Sequence, residues 1–98
     1  GFQQLDHIAR TAGLYCWHGS EVDLGILEAM YVHQCSAAAS CVWPGDIFGR
    51  MIRSHDLLET PLKVEPPFIH VPTDGPGLGV KLSEAALERF GISKRRIN

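Results

Sequence analysis

Charge of one sign is what this sequence most conspicuously lacks: nine Lys and Arg stand against eleven Asp and Glu, leaving a net charge of -2. A footprint for nucleic acid or for an anionic membrane surface needs a basic excess, so neither partner is expected. Long apolar runs are missing as well. Every hydrophobic stretch is broken by His, Gln, Asp or Glu, and none is fit to span a bilayer. The first residues carry no basic region followed by an apolar one, which removes the case for a secretory leader. The chain opens on Gly1-Phe2 without a Met, so Gly1 is not expected to be the natural start.

Cysteine is scarce and not arranged in pairs. Cys16, Cys35 and Cys41 are odd in number and show no Cys-x-x-Cys spacing, so a zinc or redox motif is not indicated. They are expected to be reduced, buried small hydrophobes, which suits a cytoplasmic protein. What remains is ordinary for a globular chain: 98 residues, 45% hydrophobic and 20% charged, enough for one domain at most and a modest core.

Phe2, Leu5, Ile8, Ala9 and Ala12 recur at helical spacing, and Gly13 follows as a stop. Leu14-Tyr15-Cys16-Trp17 is apolar and aromatic, and Leu14 to His18 predicts a buried strand. The chain turns at Gly19-Ser20 into a helix expected from Ser20 or Val22 to about Ala39, with Leu24, Leu27, Tyr31 and Cys35 on one stripe. A strand that runs into a helix is half of a βα unit and requires parallel neighbours. The sequence supplies no convincing second parallel strand. Beyond the Trp43-Pro44-Gly45-Asp46 turn, five prolines from Pro61 to Pro76 exclude a long helix. Leu62-Lys63-Val64 and Phe68-Ile69-His70-Val71 alternate like strands, and Ser83 to Phe90 reads as a short capped helix. The end from Ser93 to Asn98 is polar and expected to fray.

Several separated stretches then fall into one order. Gly19-Ser20-Glu21-Val22-Asp23-Leu24-Gly25-Ile26, Trp43-Pro44-Gly45-Asp46-Ile47-Phe48-Gly49 and Pro61 to Pro67 come first. His70-Val71-Pro72, Asp74-Gly75-Pro76-Gly77-Leu78-Gly79-Val80 and Leu82 to Phe90 follow. Together they resemble the C-terminal part of the mandelate racemase/muconate lactonizing enzyme group of the enolase superfamily, with muconate cycloisomerases most similar. The resemblance implies an α/β chain: the last βα unit of an enolase-type modified (β/α) barrel, followed by a tail with short strands that returns to a capping domain. Residues 1–58 would close the barrel domain and residues 59–98 would form that tail.

The same resemblance implies a chemistry and its missing parts. Such enzymes are isomerases, cycloisomerases or lyases that move a proton next to a carboxylate, using Mg²⁺ or Mn²⁺ and a Lys base. The metal ligands and the base sit on earlier strands, so this chain is expected to hold no catalytic residue, to bind no metal alone and to be inactive alone. Its implied partners are the absent capping domain and barrel residues, or another copy of the chain in a homo-oligomer. Asp23 matches an acidic position, usually Glu, at the mouth of the pocket; its competing role is simply to complement a helix start. Gly19 and Ser20 match a small pair whose amides could face a substrate carboxylate, and equally a tight turn with Ser20 as cap. Glu21 and His18 replace apolar residues and would change the polarity of the pocket.

Other features have plain readings. His18, Glu21 and Asp23 point in different directions and do not make a metal cluster. His33 and Cys35, two apart on a helix, read as packing residues. Gly75-x-Gly77-x-Gly79 contains Pro76 and lacks a βα context, so its glycines serve a turn with φ > 0 rather than a dinucleotide. Arg50, Arg53, Lys94, Arg95 and Arg96 read as solvated surface. Two classes of function therefore stand side by side: the final piece of a metal-dependent enzyme, and a stand-alone non-catalytic chain that self-associates.

Overall fold

The structure, a computed structural model, describes residues 1–95 and residue 97; the expectations for Arg96 and Asn98 lie outside the described residues. Helix α1, Phe2–Thr11, ends where Gly13 takes φ +67°, a conformation open to a residue without Cβ. Leu14 N–H then returns to Ala9 O (2.8 Å) and Gly13 N–H to Arg10 O (3.1 Å), which satisfies two terminal carbonyls. Helix α2 spans Gly25–Ala37, later at its start than expected. Ser20 does not cap it; Leu24 holds the cap position and contributes no side-chain bond. Helix α3, Gly49–Ile52, is a single turn that periodicity did not reveal. Strands β1, Val64–Glu65, and β2, Phe68–Ile69, form an antiparallel hairpin about Pro66-Pro67, shorter than the alternation suggested. Helix α4, Glu84–Phe90, is capped by Ser83 Oγ, which accepts Ala86 N–H at 3.2 Å.

The interior is small and unusually polar. Ala9, Ala29, Val32, Ala38 and Leu58 are its buried apolar side chains among the described residues, while Glu28 and Ser40 are the largest side chains fully withdrawn from solvent. Glu28, 1% exposed, pairs with the Arg53 guanidinium at 2.8 Å, and the same guanidinium nitrogen reaches Asp56 Oδ2 at 2.8 Å. Glu28 Oε1 also accepts Arg50 N–H at 2.9 Å. Asp56 Oδ1 accepts the N–H groups of Gly25 (3.0 Å) and Leu57 (2.7 Å), so the first turn of α2 is held by a carboxylate 31 residues away. Arg53 is therefore part of the interior, not the solvated surface that its sequence context implied; only 11% of its side chain is exposed.

Helix α1 is held in a similar way. Both the N–H and the hydroxyl of Ser40 donate to Asp6 Oδ1, at 2.9 and 2.6 Å. These bonds turn Asp6 and Ala9 inward and leave Leu5 and Ile8, expected on the inner stripe, in solvent. The tail is tied back by Ser83 N–H to Leu57 O (2.7 Å), Glu59 N–H to Lys81 O (2.9 Å) and an antiparallel bridge between Leu58 and Leu82. His33, read as a packing residue, instead donates from Nε2 to Leu78 O at 3.0 Å and anchors the Pro76 to Gly79 turn to α2. In that turn Gly77 and Gly79 adopt positive φ, whereas Gly75 does not.

Two expectations about burial are corrected. Leu14 to His18 is irregular and unpaired rather than a buried strand, with Leu14 62%, Tyr15 67% and Trp17 57% exposed. Cys16 N–H to Ser40 O (3.0 Å) ties its middle to the turn after α2. A strand exists through its ladder, and the sheet of the described residues consists of β1 and β2 without this segment. The cysteines are free, as expected, but half-buried rather than buried. Burial pushes the Cys35 thiol up to about 11.

The surface left open is large. A folded monomer of this mass exposes roughly 5,500 Å², and this chain exposes 7618 Å². Its radius of gyration is 15.2 Å, against about 13 Å for a compact chain of this length. Among the described residues, Val22, Leu24, Ile26, Val42, Trp43, Met51, Ile52 and Phe68 share the exposure of the Leu14 segment.

Removing the guanidinium should leave the buried Glu28 carboxylate without its cation. Arg53→Ala is expected to cost about 3 kcal/mol, measured by urea unfolding, with Arg53→Lys recovering part of the loss. Acid should act through Asp6 and Asp56. The Ser40 hydroxyl and N–H hold the Asp6 carboxyl below its ordinary value. Burial pushes Asp56 up, but the Gly25 and Leu57 N–H groups and Arg53 outweigh it and leave the carboxyl low. Their contributions are whole above the ordinary carboxylate pKa of about 4 and fade as pH falls through the lower folded values. The urea midpoint should therefore be level from pH 7 to about 5 and fall below about 4, and Asp6→Asn should flatten the acid limb.

Candidate functional site

Gly19, Ser20, Glu21 and Asp23 lie together on one turn between the extended segment and α2. Ser20 has no freedom of its own. Its N–H donates to Asp46 Oδ1 (2.8 Å), its hydroxyl donates to Asp46 O (2.7 Å), and its Oγ accepts Phe48 N–H (3.3 Å). The Trp17 indole N–H reaches Pro44 O at 2.9 Å. A Cβ on Gly45 would stand 2.9 Å from His18 O, so the loop crosses the turn at backbone distance. The Trp17 ring lies against Gly19, where a Cβ would meet it at 3.0 Å. The segment from Pro44 to Gly49 is thus laced along the segment from Trp17 to Asp23.

Asp23 precedes α2 instead of sitting in its first turn. Its Oδ2 accepts Glu21 N–H at 2.8 Å, and its Oδ1 lies 3.5 Å from the Tyr31 hydroxyl. Burial, then the Asp23 carboxylate, pushes the Tyr31 phenol above its ordinary value. The backbone carbonyl of Asp23 accepts from the Arg53 guanidinium, which links the turn to the interior ion network. Glu21 is exposed. His18 stacks between the Phe2 ring (centroids 5.3 Å) and the Tyr31 ring (4.6 Å). Its Nδ1 lies 2.8 Å from Gly19 O and its Nε2 3.0 Å from Gln34 Oε1. Nδ1 therefore carries a proton that it donates to the Gly19 carbonyl.

Two of the amides on this turn are committed internally: Ser20 N–H to Asp46 and Glu21 N–H to Asp23. At α2 itself, Gly25 N–H is taken by Asp56. The turn is open rather than enclosed. The apolar cleft beside it, about 700 Å³ between α2, the Trp43–Met51 segment and the hairpin, includes His18 and Asp46 but not Gly19, Ser20, Glu21 or Asp23. Among the described residues no group of three or more His, Cys, Asp or Glu is placed to hold a metal ion.

Sequence reasoning found the turn and missed what holds it. Asp46, Arg53, Tyr31 and His18 act across separations of 8 to 30 residues in these bonds, which no local periodicity reports. The one available signal was glycine placement beside those residues. A Cβ on Gly49 would stand 2.5 Å from Asp23 O and 3.0 Å from Asp23 N.

The chain belongs to the enolase C-terminal domain-like family, whose model matches residues 1–86. It is 30% identical over 88 residues to muconate cycloisomerase 1-1 of Acinetobacter lwoffii, covering 90% of this chain and 23% of that protein. It is 28% identical to the chloromuconate cycloisomerase of Cupriavidus pinatubonensis, covering 93% of this chain and 24% of that protein. The crystal structure of the muconate lactonizing enzyme from Klebsiella pneumoniae superposes with a TM-score of 0.79 at 26% identity, over 88% of this chain and 24% of that one. The chain spans less than a quarter of the length of these relatives. Its α/β architecture is that of an enolase-type C-terminal segment, and among the described residues no helix is long and apolar enough to cross a membrane.

Because the Asp23 backbone, as well as the Arg53 guanidinium, blocks a Cβ at Gly49, Gly49→Ala should displace α3 from the Asp23 turn. The expected loss is about 1–3 kcal/mol by urea unfolding. The Asp23 and Arg53 amide resonances should move together.

Proposed function

We propose that this chain supplies the last βα unit and the returning tail of a divalent-metal-dependent isomerase, cycloisomerase or lyase that acts on carboxylate substrates by α-proton chemistry. The observation that carries the reading is the family match over residues 1–86, joined to the exposed Leu14, Tyr15 and Trp17 side chains ahead of the Gly19–Asp23 turn. In this reading barrel strands from the rest of the protein flank that segment and cover Leu14, Tyr15 and Trp17. Residues 1–58 then close the barrel, and residues 59–98 return to the capping domain. Gly19, Ser20, Glu21 and Asp23 line the mouth of the pocket. Asp23 orders the turn through Glu21 N–H and presents a carboxylate toward the reacting centre. Mg²⁺ or Mn²⁺ and the Lys base belong to residues outside this chain, which alone turns over nothing. A cytoplasmic setting suits its three free thiols.

A second reading rests on the roughly 2,000 Å² of surface beyond that of an ordinary monomer. A chain on its own would cover that surface with a second copy, as a dimer or swapped assembly without catalysis.

Complementation separates the two. The chain is co-expressed with the portion of the Acinetobacter lwoffii muconate cycloisomerase that precedes the matched region, and muconate loss is followed with added Mn²⁺. The enzyme reading expects a co-purifying complex with turnover, and none from either piece alone. A stable dimer of the chain that ignores the larger piece supports the second reading. Turnover or α-proton exchange by the isolated chain with Mg²⁺ or Mn²⁺ would overturn its proposed inactivity.

A further inference from the structure

We propose that Asp46 is the positioning residue for the candidate pocket turn, setting where Gly19 to Asp23 stand before any substrate arrives. The inference takes its functional meaning from the reading above, but its geometry stands by itself. Asp46 offers Ser20 two acceptors at once: the side-chain Oδ1 to the N–H (2.8 Å) and the backbone carbonyl to the hydroxyl (2.7 Å). Ser20 Oγ in turn accepts Phe48 N–H at 3.3 Å, so one serine is bound by both ends of the Asp46-Ile47-Phe48 stretch. A carboxylate accepting an N–H makes a charge-assisted bond, stronger than a neutral one.

Neighbouring groups make this the governing contact. Within the turn Asp23 orders the Glu21 N–H, two residues before it, and Arg53 reaches the Asp23 carbonyl at the far end. At the near end, the Ser20 N–H and hydroxyl donate to Asp46, and the Gly19 carbonyl bonds to the His18 ring. The Asp46 carboxylate also occupies the amide that a substrate carboxylate would otherwise reach at Ser20. Asp46 thereby shapes the mouth of the pocket and leaves the side chains of Glu21 and Asp23, not the Ser20 amide, as its polar groups.

The test follows amide hydrogen exchange by NMR on the full 98-residue chain. Ser20 N–H is the probe, and Leu14 N–H, bonded to Ala9 O, is the internal reference. Wild type should protect Ser20, with its amide proton shifted downfield. Asp46→Ala should speed Ser20 exchange about tenfold or more while leaving Leu14 unchanged. Asp46→Asn keeps an Oδ1 acceptor and should restore most of the protection. Ser20→Ala, which removes only the hydroxyl bonds, should loosen Phe48 N–H while Ser20's replacement keeps its amide bond to Asp46. A Ser20 amide unprotected in wild type, or one indifferent to Asp46→Ala, would overturn the inference. Loss of Leu14 protection in Asp46→Ala would also overturn it, by showing a general unfolding effect. In the complemented enzyme, Asp46→Ala should raise KM more than it lowers kcat, with Asp46→Asn close to wild type. Complementation without activity counts against the enzyme reading, while the exchange result decides the role of Asp46.

Discussion

The buried Arg53 guanidinium is the group on which the remainder of this structure depends. It neutralises Glu28 in the first turn of α2, pairs with Asp56, and donates to the carbonyl of Asp23. Through Asp56 it also fixes the Gly25 amide that opens α2. One cation therefore determines where the helix starts, where the following segment crosses it and how the candidate turn ends. Such a network has to be satisfied in full, because a carboxylate withdrawn from water costs several kcal/mol when its partner is lost. Every member here has a partner, and no buried side-chain polar atom among the described residues is left without one.

That polar interior explains the inverted look of the chain. Glu28 and Ser40 are its most completely buried large side chains, while Tyr15, Trp17 and Trp43 face solvent. Hydrophobic burial is ordinarily the larger driving force in a domain of this size. Here internal hydrogen bonds hold the elements in register, and the apolar surface remains outward. Apolar faces left open in this way are of the kind that interfaces with further layers or with a second copy cover.

The candidate turn draws its shape from two distant segments rather than from its own residues. Asp46 holds the Gly19-Ser20 end and Arg53 the Asp23 end. Close backbone approach at Gly45 and Gly49 lets both segments reach it. Asp23, 26 and 30 residues distant from Gly49 and Arg53, could not have been given these surroundings by any reading of its own neighbours in the chain.

What was legible in advance followed from local chemistry. Gly13 as a helix stop, Ser83 as a cap, the Pro-rich break in helicity and the hairpin about Pro66-Pro67 are each set within a few residues, and the sequence determined them without help. The separated glycine and proline stretches also carried the family. Tertiary structure alone decided the rest. It put Leu5 and Ile8 outside because Ser40 captures Asp6, brought Arg53 inside because two carboxylates meet it there, and left Leu14 to His18 without a ladder. The reason is range: a cap or a turn is settled by atoms within one or two turns of chain, whereas burial and charge pairing depend on which distant segments arrive.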